Sequence, residues 1–456
     1  MVGRRGVGKS GVVTRVVTSE EDAGALLDGV VFLSTRTKAQ EVTLELIVSS
    51  LAALLPPAEE QRLLTRWGGV REAVLPDLFA ELRGRTVVVL DNLDDVQDPV
   101  TGELQRPDLV TFLQAVVATP DPPSVITTSQ RPLVVPPDLR PELGPPLRMT
   151  DGLPPAEAAA MLRELDARGS AGLAGADEAL LRDLAGRVDG LPRGLQLMVN
   201  YLLDHEISGL KRLTRKHRFP AEILDALVSI AYEQLSGTAR EVVELVAVAG
   251  APLSCADLTA LVPDASPEDV EDAIDDLLRR QELVRGGDED IVRLHPLDTD
   301  HVRERLPEAR RRALHLRLAD RYGRVARPLE LMRLVADADP LVHRYRHLWA
   351  AGEHAEALTQ LAVVAEFLSR RGAHAVLAEA VAAAGTAGQA GTLAYHVCRG
   401  FLELTTGSQD AAQREFREAA ALDPSSATWP TWRGVALRHM GRPGDAVDVL
   451  GPLVTD

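Results

Sequence analysis

The hydrophobic pattern of the first third of the chain alternates between short apolar runs and longer amphipathic stretches. Residues 86–95, TVVVLDNLDD, contain four consecutive apolar residues, which is typical of a strand buried on both faces. Comparable patterns predict three further strands, at 29–35, 124–131 and 147–150. Amphipathic stretches predict three helices, at about 40–55, 71–83 and 107–118. Strands that alternate with helices predict a parallel α/β sheet.

After residue 150 the pattern becomes helical. The proline-rich segment 131–146 predicts a surface loop before this change, and the basic run at 211–218 predicts a linker or an exposed helix end. Residues 219–305 hold amphipathic helices and then QELVRGGDEDIVRLHPL, which predicts two short strands around a Gly-Gly-Asp turn. Helices closed by such a hairpin predict a winged-helix domain.

The C-terminal end contains an internal repeat. The segment 399–416 aligns with 433–450 at an offset of 34 residues, a period that indicates a helical solenoid of the tetratricopeptide (TPR) type. The small and apolar positions of the repeat are Gly400, Gly407, Ala412, Phe416, Ala419 and Pro424 in the first copy and Gly434, Gly441, Ala446 and Leu450 in the second. The sequence therefore predicts TPR-like repeats over 346–456, although no polar capping helix follows the last copy.

These patterns predict five regions in a chain of 456 residues. They are an α/β domain at 1–150, a helical arm at 151–218, the winged helix at 219–305, a helical connector at 306–345 and the repeats. No apolar run is long enough to span a bilayer and no secretory signal is visible, so we expect a cytoplasmic protein that does not enter membranes. Two widely separated cysteines agree with a reducing compartment.

The net charge of −17 is unevenly distributed. Residues 221–305 carry 20 acidic residues against 7 arginines and no lysine, a net charge of −13. Such a surface repels phosphate backbones, which makes nucleic acid an unlikely partner of the winged helix. Only four of the 50 basic residues are lysines, and one of them is Lys9.

Lys9 belongs to the segment GRRGVGKS at residues 3–10, which matches the P-loop pattern G-x-x-x-x-G-K-[ST]. Backbone amides of Gly3, Arg4, Arg5, Gly6, Val7, Gly8 and Gly11, with Lys9, are the predicted phosphate-binding groups, and Ser10 is a predicted Mg²⁺ ligand. Only Met1 and Val2 precede the loop, so we expect the first strand of the sheet to be truncated.

Asp91 ends the buried apolar run and is the predicted second Mg²⁺ ligand. Asn92 follows it, where many hydrolytic P-loop ATPases carry an acid that polarises water, and an amide cannot accept the proton. Asp94 or Asp95 could replace that acid, or could cap the following helix. Lys9, Asp91 and Asp94 are therefore the candidate catalytic residues. Arg131, just after the third predicted strand, could sense a γ-phosphate.

The order of these motifs resembles the NB-ARC branch of the STAND ATPases, which are signal-transducing switch proteins. The resemblance covers about residues 1–305 and rests on the P-loop, VVVLDNLDD, ITTSQR, GLPRGLQL, AYEQLSGTAREVVELVAVAG and LHPL. It implies that Arg131 is a sensor arginine, that Pro192 packs near adenine, and that His295 holds the β-phosphate of ADP in the resting state. After His295 the chain continues with Pro296 and Leu297 instead of the aspartate of the family's Met-His-Asp motif.

Three functions remain open at this point. The first is an ATP- and ADP-binding switch with Mg²⁺ as cofactor, at most a slow ATPase, whose TPR-like repeats sense a ligand or protein and which self-associates when activated. The second is a TPR-type interaction scaffold with a degenerate NTPase domain, suggested by the shortened first strand. The third is a transcriptional regulator that uses the winged helix, against which the charge of 221–305 argues.

Overall fold

The computed structural model describes most of the chain in two compact units. One unit comprises Met1–Leu44 and Pro76–Pro307, and the other comprises Glu45–Leu75 and Glu308–Asp456. The residues outside the described part are 5, 23–26, 36–41, 68–70, 83–85, 99, 137–138, 140–143, 150, 218–219, 286–289, 334, 372, 407, 427, 440–441 and 455–456. Within the described part, each helix is too short or too polar to cross a bilayer.

The first unit begins with a parallel sheet, as the alternating pattern predicts. Its strands are β1 (Val2–Gly3), β2 (Gly29–Ser34), β3 (Thr86–Asp91), β4 (Ser124–Thr127) and β5 (Arg148–Met149). Strand β3 lies between β2 and β4, and all of its residues are buried. This burial on both faces explains the unbroken apolar run that predicts the strand.

The strand before the P-loop is two residues long and is paired on both sides. Val2 and Gly3 pair in parallel with Arg148 and Met149 of β5. On the other side, the Gly3 amide donates to the Ser129 carbonyl at 3.0 Å, just beyond the end of β4. Hydrogen bonds therefore give the strand order β2-β3-β4-β1-β5, and the carboxyl ends of these parallel strands meet at one edge.

Helices connect these strands. Helix α1 (Lys9–Asp22) follows the P-loop, and α5 (Pro107–Ala118) precedes β4. The chain between β2 and β3 forms α2 (Leu44–Ala52), α3 (Pro57–Trp67) and α4 (Arg71–Glu81). Most of this excursion is grouped with the second unit, which the hydrophobic pattern does not indicate.

Five helices with a common apolar core follow the sheet. They are α6 (Pro155–Leu165), α7 (Glu178–Arg187), α8 (Pro192–Asp204), α9 (Ile207–Lys216) and α10 (Pro220–Gln234). Leu162, Leu195 and Leu227, from three of these helices, are among the buried residues of the core. The basic run at 211–218 begins inside α9, so its first six residues form a helix end and not a linker.

The remainder of the first unit combines four helices with a small antiparallel sheet. The helices are α11 (Gly237–Ala249), α12 (Cys255–Leu261), α13 (Pro267–Arg279) and α14 (Pro296–Arg305), and the strands are β6 (Leu253–Ser254), β7 (Leu283–Arg285) and β8 (Ile291–Leu294). The strand order is β6-β8-β7. The predicted Gly-Gly-Asp turn between β7 and β8 lies outside the described residues. We call residues 237–305 the hairpin segment.

The C-terminal part of the second unit is a series of helices. They are α15 (Glu308–Val325), α16 (Asp339–Ala350), α17 (His354–Arg370), α18 (His374–Thr386), α19 (Leu393–Thr406), α20 (Gln409–Leu422), α21 (Thr428–His439) and α22 (Pro443–Val454). Two single-turn 3₁₀ helices, Leu329–Leu331 and Val335–Ala338, separate α15 from α16.

The 34-residue sequence repeat has a structural counterpart in this series. A methyl group built on Gly400 would lie 2.7 Å from Cε1 of Phe416, and one built on Gly434 would lie 2.9 Å from Cδ1 of Leu450. Each glycine therefore lets its helix approach the next one closely at an equivalent position. Gly407 and Gly441, also members of the repeat, lie outside the described residues.

Candidate functional site

A cavity of about 790 Å³ lies at the carboxyl edge of the parallel sheet, within the first unit. It is lined by the P-loop, the ends of β2 and β3, the first turn of α8 and the start of α14. Pockets of this size are typical of small-molecule sites, and ligands of α/β proteins bind beyond the carboxyl ends of the strands. The cavity is therefore the candidate site of the unit.

The P-loop part of the cavity is shaped by glycines. Gly6 and Gly8 have φ angles of 76° and 98°, a region that side chains with a Cβ atom rarely adopt. The loop leads directly into the N-terminus of α1, where the backbone amides of the first turn and the helix dipole favour an anion. The buried Lys9 ammonium donates to the carbonyl oxygens of Gly3 at 2.6 Å and Arg4 at 3.1 Å, so the loop itself holds the cation in place.

Asp91 is the centre of a hydrogen-bond network at the end of β3. Its Oδ1 atom accepts from the hydroxyl groups of Ser10 at 2.8 Å and Thr128 at 2.6 Å. Its Oδ2 atom accepts from the side-chain amide of Asn92 at 2.6 Å. Ser34, at the end of β2, lies 3.5 Å from the same oxygen. The carboxylate is therefore oriented by groups from four separate segments of the sequence, and three of these groups are far away along the chain.

Asn92 and Asp94 occupy the turn that follows β3. Asn92 has a left-handed backbone with a φ angle of 60°, and its carbonyl accepts from the Thr35 hydroxyl. The Oδ1 atom of Asp94 accepts from the backbone amide of Gln130. The Oδ2 atom of Asp94 is buried without a hydrogen-bond partner in the described part of the chain. Asp94 also lines the cavity, so this oxygen is an unused acceptor at the site.

The hairpin segment closes the cavity opposite the P-loop. His295 caps α14, because its Nδ1 atom accepts from the Leu297 amide at 3.2 Å. A methyl group built on Gly6 would lie 3.4 Å from Cδ1 of Leu297. One built on Gly8 would lie 3.8 Å from Cγ of Pro192, the first residue of α8. The starts of α8 and α14 thus lie against the phosphate-binding loop.

A buried ion pair joins these two helix starts. The Arg193 guanidinium donates to the Asp298 carboxylate, and its Nη1 atom also donates to the Gln281 carbonyl at 2.9 Å. Both side chains are buried, and burial raises the pKa of Asp298 although the charge of Arg193 opposes that shift. The pair therefore links α8 to α14 and to the end of α13 directly beside the cavity.

No sequence motif predicts this ion pair, although the hydrophobic pattern contains a signal for it. Arg193 lies four positions before the buried Leu197, on the apolar face of α8. Asp298 lies four positions before the buried Val302, on the corresponding face of α14. A charged residue on an apolar helix face indicates a buried partner, because an unpaired buried charge is costly. The pattern does not indicate which residue pairs with each buried charge.

The structure brings most of the predicted site residues to the cavity. The predicted residues that line it are Gly6, Gly8, Lys9, Ser10, Gly11, Asp91, Asp94, Pro192 and His295. Gly3, Arg4, Val7 and Arg131 are not part of the described lining. Arg4 instead pairs with Asp189 at 3.0 Å, and Arg131 is exposed beside Gln130, which does line the cavity. Arg5 lies outside the described residues.

The chemistry of the site suits a phosphate ester with a hard cation. The Ser10 hydroxyl and the Asp91 carboxylate are oxygen donors of the type that Mg²⁺ prefers, and both face the cavity. Lys9 and the N-terminus of α1 supply positive charge beside them. The residues present therefore fit a magnesium–polyphosphate ligand.

Comparison with known proteins gives a likeness to solved structures. No protein-family model and no curated protein matches the chain. A solved structure, the Signal Transduction ATPase with Numerous Domains (STAND) protein with a tetratricopeptide repeat sensor from Pyrococcus horikoshii, matches with a TM-score of 0.64 and 13% identity. The match covers 99% of this chain and 62% of that protein.

Two further solved structures match a smaller part of the chain. They are the Walker-type ATPase of Pyrococcus abyssi, at 14% identity and a TM-score of 0.32, and the ORC2 protein of Aeropyrum pernix, at 13% identity and a TM-score of 0.28. Each match covers 66% of this chain, with 89% and 85% of the respective structures covered. The longer likeness leads to the conclusion that this chain has the fold of the Pyrococcus horikoshii STAND protein and spans about 62% of its length.

Proposed function

We propose that the chain is an adenine-nucleotide-binding switch of the STAND type. The observation that carries this proposal is the common lining of one cavity by Lys9, Ser10 and Asp91 on one side and by Pro192 and His295 on the other. A nucleotide in this cavity contacts the P-loop and the hairpin segment together. Its phosphate chain therefore stabilises the arrangement in which the two are in contact.

The roles of the chain's own residues follow from their positions. Lys9 and the α1 N-terminus bind the β-phosphate and, in ATP, the γ-phosphate. Ser10 and Asp91 hold Mg²⁺, which neutralises phosphate charge when it is bound. Pro192 contacts the base and His295 approaches the β-phosphate. Arg131 is exposed and acts as the γ-phosphate sensor once its side chain turns towards the site.

Switching requires that the closed arrangement distinguishes ADP from ATP. The first turns of α8 and α14 lie against Gly8 and Gly6, so a nucleotide held by the P-loop lies beside both helix starts. We propose that ADP stabilises this contact, and that ATP favours an open form that associates with further copies of the chain. The winged-helix assignment of the hairpin segment and the TPR assignment of 346–456, which would sense a ligand or protein, belong to the same proposal.

A second candidate function is a TPR-type scaffold whose nucleotide site does not hydrolyse ATP. The specific observation that favours it is the bond from the Asn92 amide to Asp91, where a hydrolytic ATPase would use a carboxylate as base. Asp94 supplies one unpartnered oxygen as a substitute acceptor. Both candidates include nucleotide binding if the fold is intact, and they differ in turnover and in nucleotide-dependent opening.

The test is to identify the nucleotide that the protein carries through purification and to follow its effect on shape. We expect ADP in roughly equimolar amount and a more compact particle with ADP than with a non-hydrolysable ATP analogue, measured by small-angle scattering. Identical scattering profiles with ADP and with the analogue would exclude the switch function and favour the scaffold function. Ser10→Ala, which removes an Mg²⁺ ligand and preserves the loop, is the matched variant.

A further inference from the structure

A second cavity of about 210 Å³ lies between α8, α10, the start of α11 and the end of α13. It shares no lining residue with the cavity at the P-loop. Leu197, Leu227 and Ile230 form an apolar wall, and Asn200, Arg280 and Glu282 are among the polar groups. A polar cavity of this size has room for several waters or for one small molecule.

Glu282 is the unusual group in this lining. Its residue is only 8% exposed, and in the described part of the chain its carboxyl group makes no hydrogen bond or ion pair. A mostly buried carboxylate keeps its charge only at a cost in free energy unless a cation lies beside it. The carboxyl group is therefore an unused acceptor that lines an otherwise well-bonded cavity.

The other charged groups of the cavity are already paired. Arg280 donates to Asp204 at 2.7 Å and to Asp276 at 3.1 Å. Asp276 also accepts from Arg279 at 3.2 Å. No cationic side chain of the described part thus neutralises Glu282 by direct contact, and a cation from outside the chain would complete the site.

The uncharged polar groups of the cavity are also largely occupied. The Asn200 side-chain amide donates to the Arg280 carbonyl. The Ser236 hydroxyl oxygen accepts from the Ala239 amide at 3.2 Å as the cap of α11. The Gln234 amide lies 3.3 Å from a ring nitrogen of His205. Among the charged groups of the described lining, the Glu282 carboxyl group is therefore the one that makes no hydrogen bond, and it lies beside an apolar wall.

We propose that this cavity binds a small organic cation, with an ammonium or guanidinium group on the Glu282 carboxylate and a short aliphatic body against Leu197, Leu227 and Ile230. The charge of the ligand replaces the missing partner, and its apolar body replaces water on the aliphatic wall. Inorganic cations lack the body, and neutral molecules of the same shape lack the charge. This proposal does not depend on nucleotide binding at the other cavity.

The position of the second cavity connects it to the closed arrangement. Glu282 follows Gln281, whose carbonyl accepts from Arg193. The charged groups that act on Glu282 are Asp298 of α14, Arg193 of α8, and Arg280 and Asp276 at the end of α13. A cation bound here offsets the repulsion between Glu282 and Asp298. It therefore stabilises the contact of α8, α13 and α14, which are three of the elements that surround the Arg193–Asp298 pair.

The test uses the full chain and n-butylammonium chloride as the probe. Calorimetry at pH 8 is expected to give millimolar binding, with 1-butanol as the neutral probe of the same chain length binding at least tenfold more weakly. Glu282→Gln is expected to weaken n-butylammonium binding at least tenfold and to leave 1-butanol binding unchanged. Glu271→Gln, an exposed substitution with the same change of charge on α13, is the matched control and is expected to bind like the wild type.

The outcomes separate the alternatives clearly. Three results would overturn the proposal. They are equal binding of 1-butanol and n-butylammonium, equal n-butylammonium binding by Glu282→Gln and the wild type, and no heat with either probe. The last result would show that the cavity holds only water. A titration with sodium chloride at the same ionic strength measures the effect of ionic screening alone. Since Gln is uncharged and of nearly the same size as Glu, the Glu282→Gln variant is expected to fold, which its cooperative thermal unfolding would verify.

Discussion

The hydroxyl of Ser10 donates to the Oδ1 atom of Asp91 at 2.8 Å, although 81 residues separate the two positions in the chain. This bond connects the first turn of α1 to the end of β3. Thr128, just after β4, donates to the same oxygen at 2.6 Å. The start of α1, the end of β3 and the segment after β4 are therefore joined by hydrogen bonds to one carboxylate. The two predicted Mg²⁺ ligands, Ser10 and Asp91, are in direct contact.

The contact between Ser10 and Asp91 predicts that each side chain supports magnesium-dependent binding. We expect Asp91→Asn to lower the affinity for Mg²⁺–ATP at least tenfold, about 1.4 kcal/mol. The reason is that a neutral amide does not neutralise the charge of the ion and is a weaker oxygen ligand than a carboxylate. Titration calorimetry with and without Mg²⁺ measures this. Asp183→Asn, an exposed change on α7, is the control. An unchanged magnesium effect in Asp91→Asn would show that the ion, if bound, uses other ligands.

The buried Arg193–Asp298 pair predicts a large penalty for removing one partner. Arg193→Gln leaves the Asp298 carboxylate buried without its cation, so we expect a loss of about 3–5 kcal/mol in the free energy of unfolding. The double variant Arg193→Met with Asp298→Leu removes both charges and is expected to recover most of that loss. Chemical denaturation measures both. Equal destabilisation by the single and double variants would argue against an ion pair at this position.

Burial raises the pKa of Glu282 from its ordinary value of 4.5 to about 7, mainly by desolvation and further by the charge of Asp298. The folded protein therefore binds this proton more tightly than the unfolded chain does, and stability falls as the pH rises from about 4.5 to about 7. Glu282→Gln has no such proton. We expect it to be about 2–3 kcal/mol more stable than the wild type at pH 8 and equal to it well below about pH 4.5.

Thermal and denaturant unfolding across this pH range check the prediction for Glu282. The Glu271→Gln variant, an exposed substitution on α13 with the same change of charge, is the matched control. Parallel curves for Glu282→Gln and the wild type would contradict the assignment of a raised pKa to this carboxyl group.

The equivalent glycines of the 34-residue repeat predict a position-specific effect in the second unit. Gly400→Ala places a methyl group 2.7 Å from the Phe416 ring, so we expect it to destabilise the unit by about 1–3 kcal/mol. Gly385→Ala, on α18, meets open space and is expected to be neutral or stabilising by up to about 1 kcal/mol. Thermal unfolding compares the two. Equal effects would show that Gly400 is not a close-contact position.

Local patterns predict many elements of the first unit well. Helix α5 spans Pro107–Ala118, as its amphipathic pattern indicates, and β3 coincides with the apolar run of TVVVLD. The parallel sheet is confirmed, because strands buried on both faces leave a strong signal. By contrast, β1 is only two residues long and leaves no periodic signal, and its pairing with the predicted strand β5 follows only from the structure.

The site is predictable from the sequence where one segment carries its chemistry. The P-loop residues Lys9 and Ser10 lie at consecutive positions, and Asp91 ends a recognisable strand. The Arg193–Asp298 pair joins positions 105 residues apart, and the excursion Glu45–Leu75 belongs to the second unit. Such contacts between distant segments depend on which apolar faces pack together, and no local pattern contains that information.

The central claim is that the cavity at the P-loop binds an adenine nucleotide through Lys9. The most direct measurement is titration calorimetry of nucleotide-free protein with ADP and with ATP, each in the presence of Mg²⁺, for the wild type and for Lys9→Ala. We expect saturable binding of both nucleotides by the wild type and at least a tenfold loss of affinity in Lys9→Ala, because the buried Lys9 ammonium would lie next to the phosphates. Equal affinities of the two proteins, or no heat from folded wild-type protein, would contradict it.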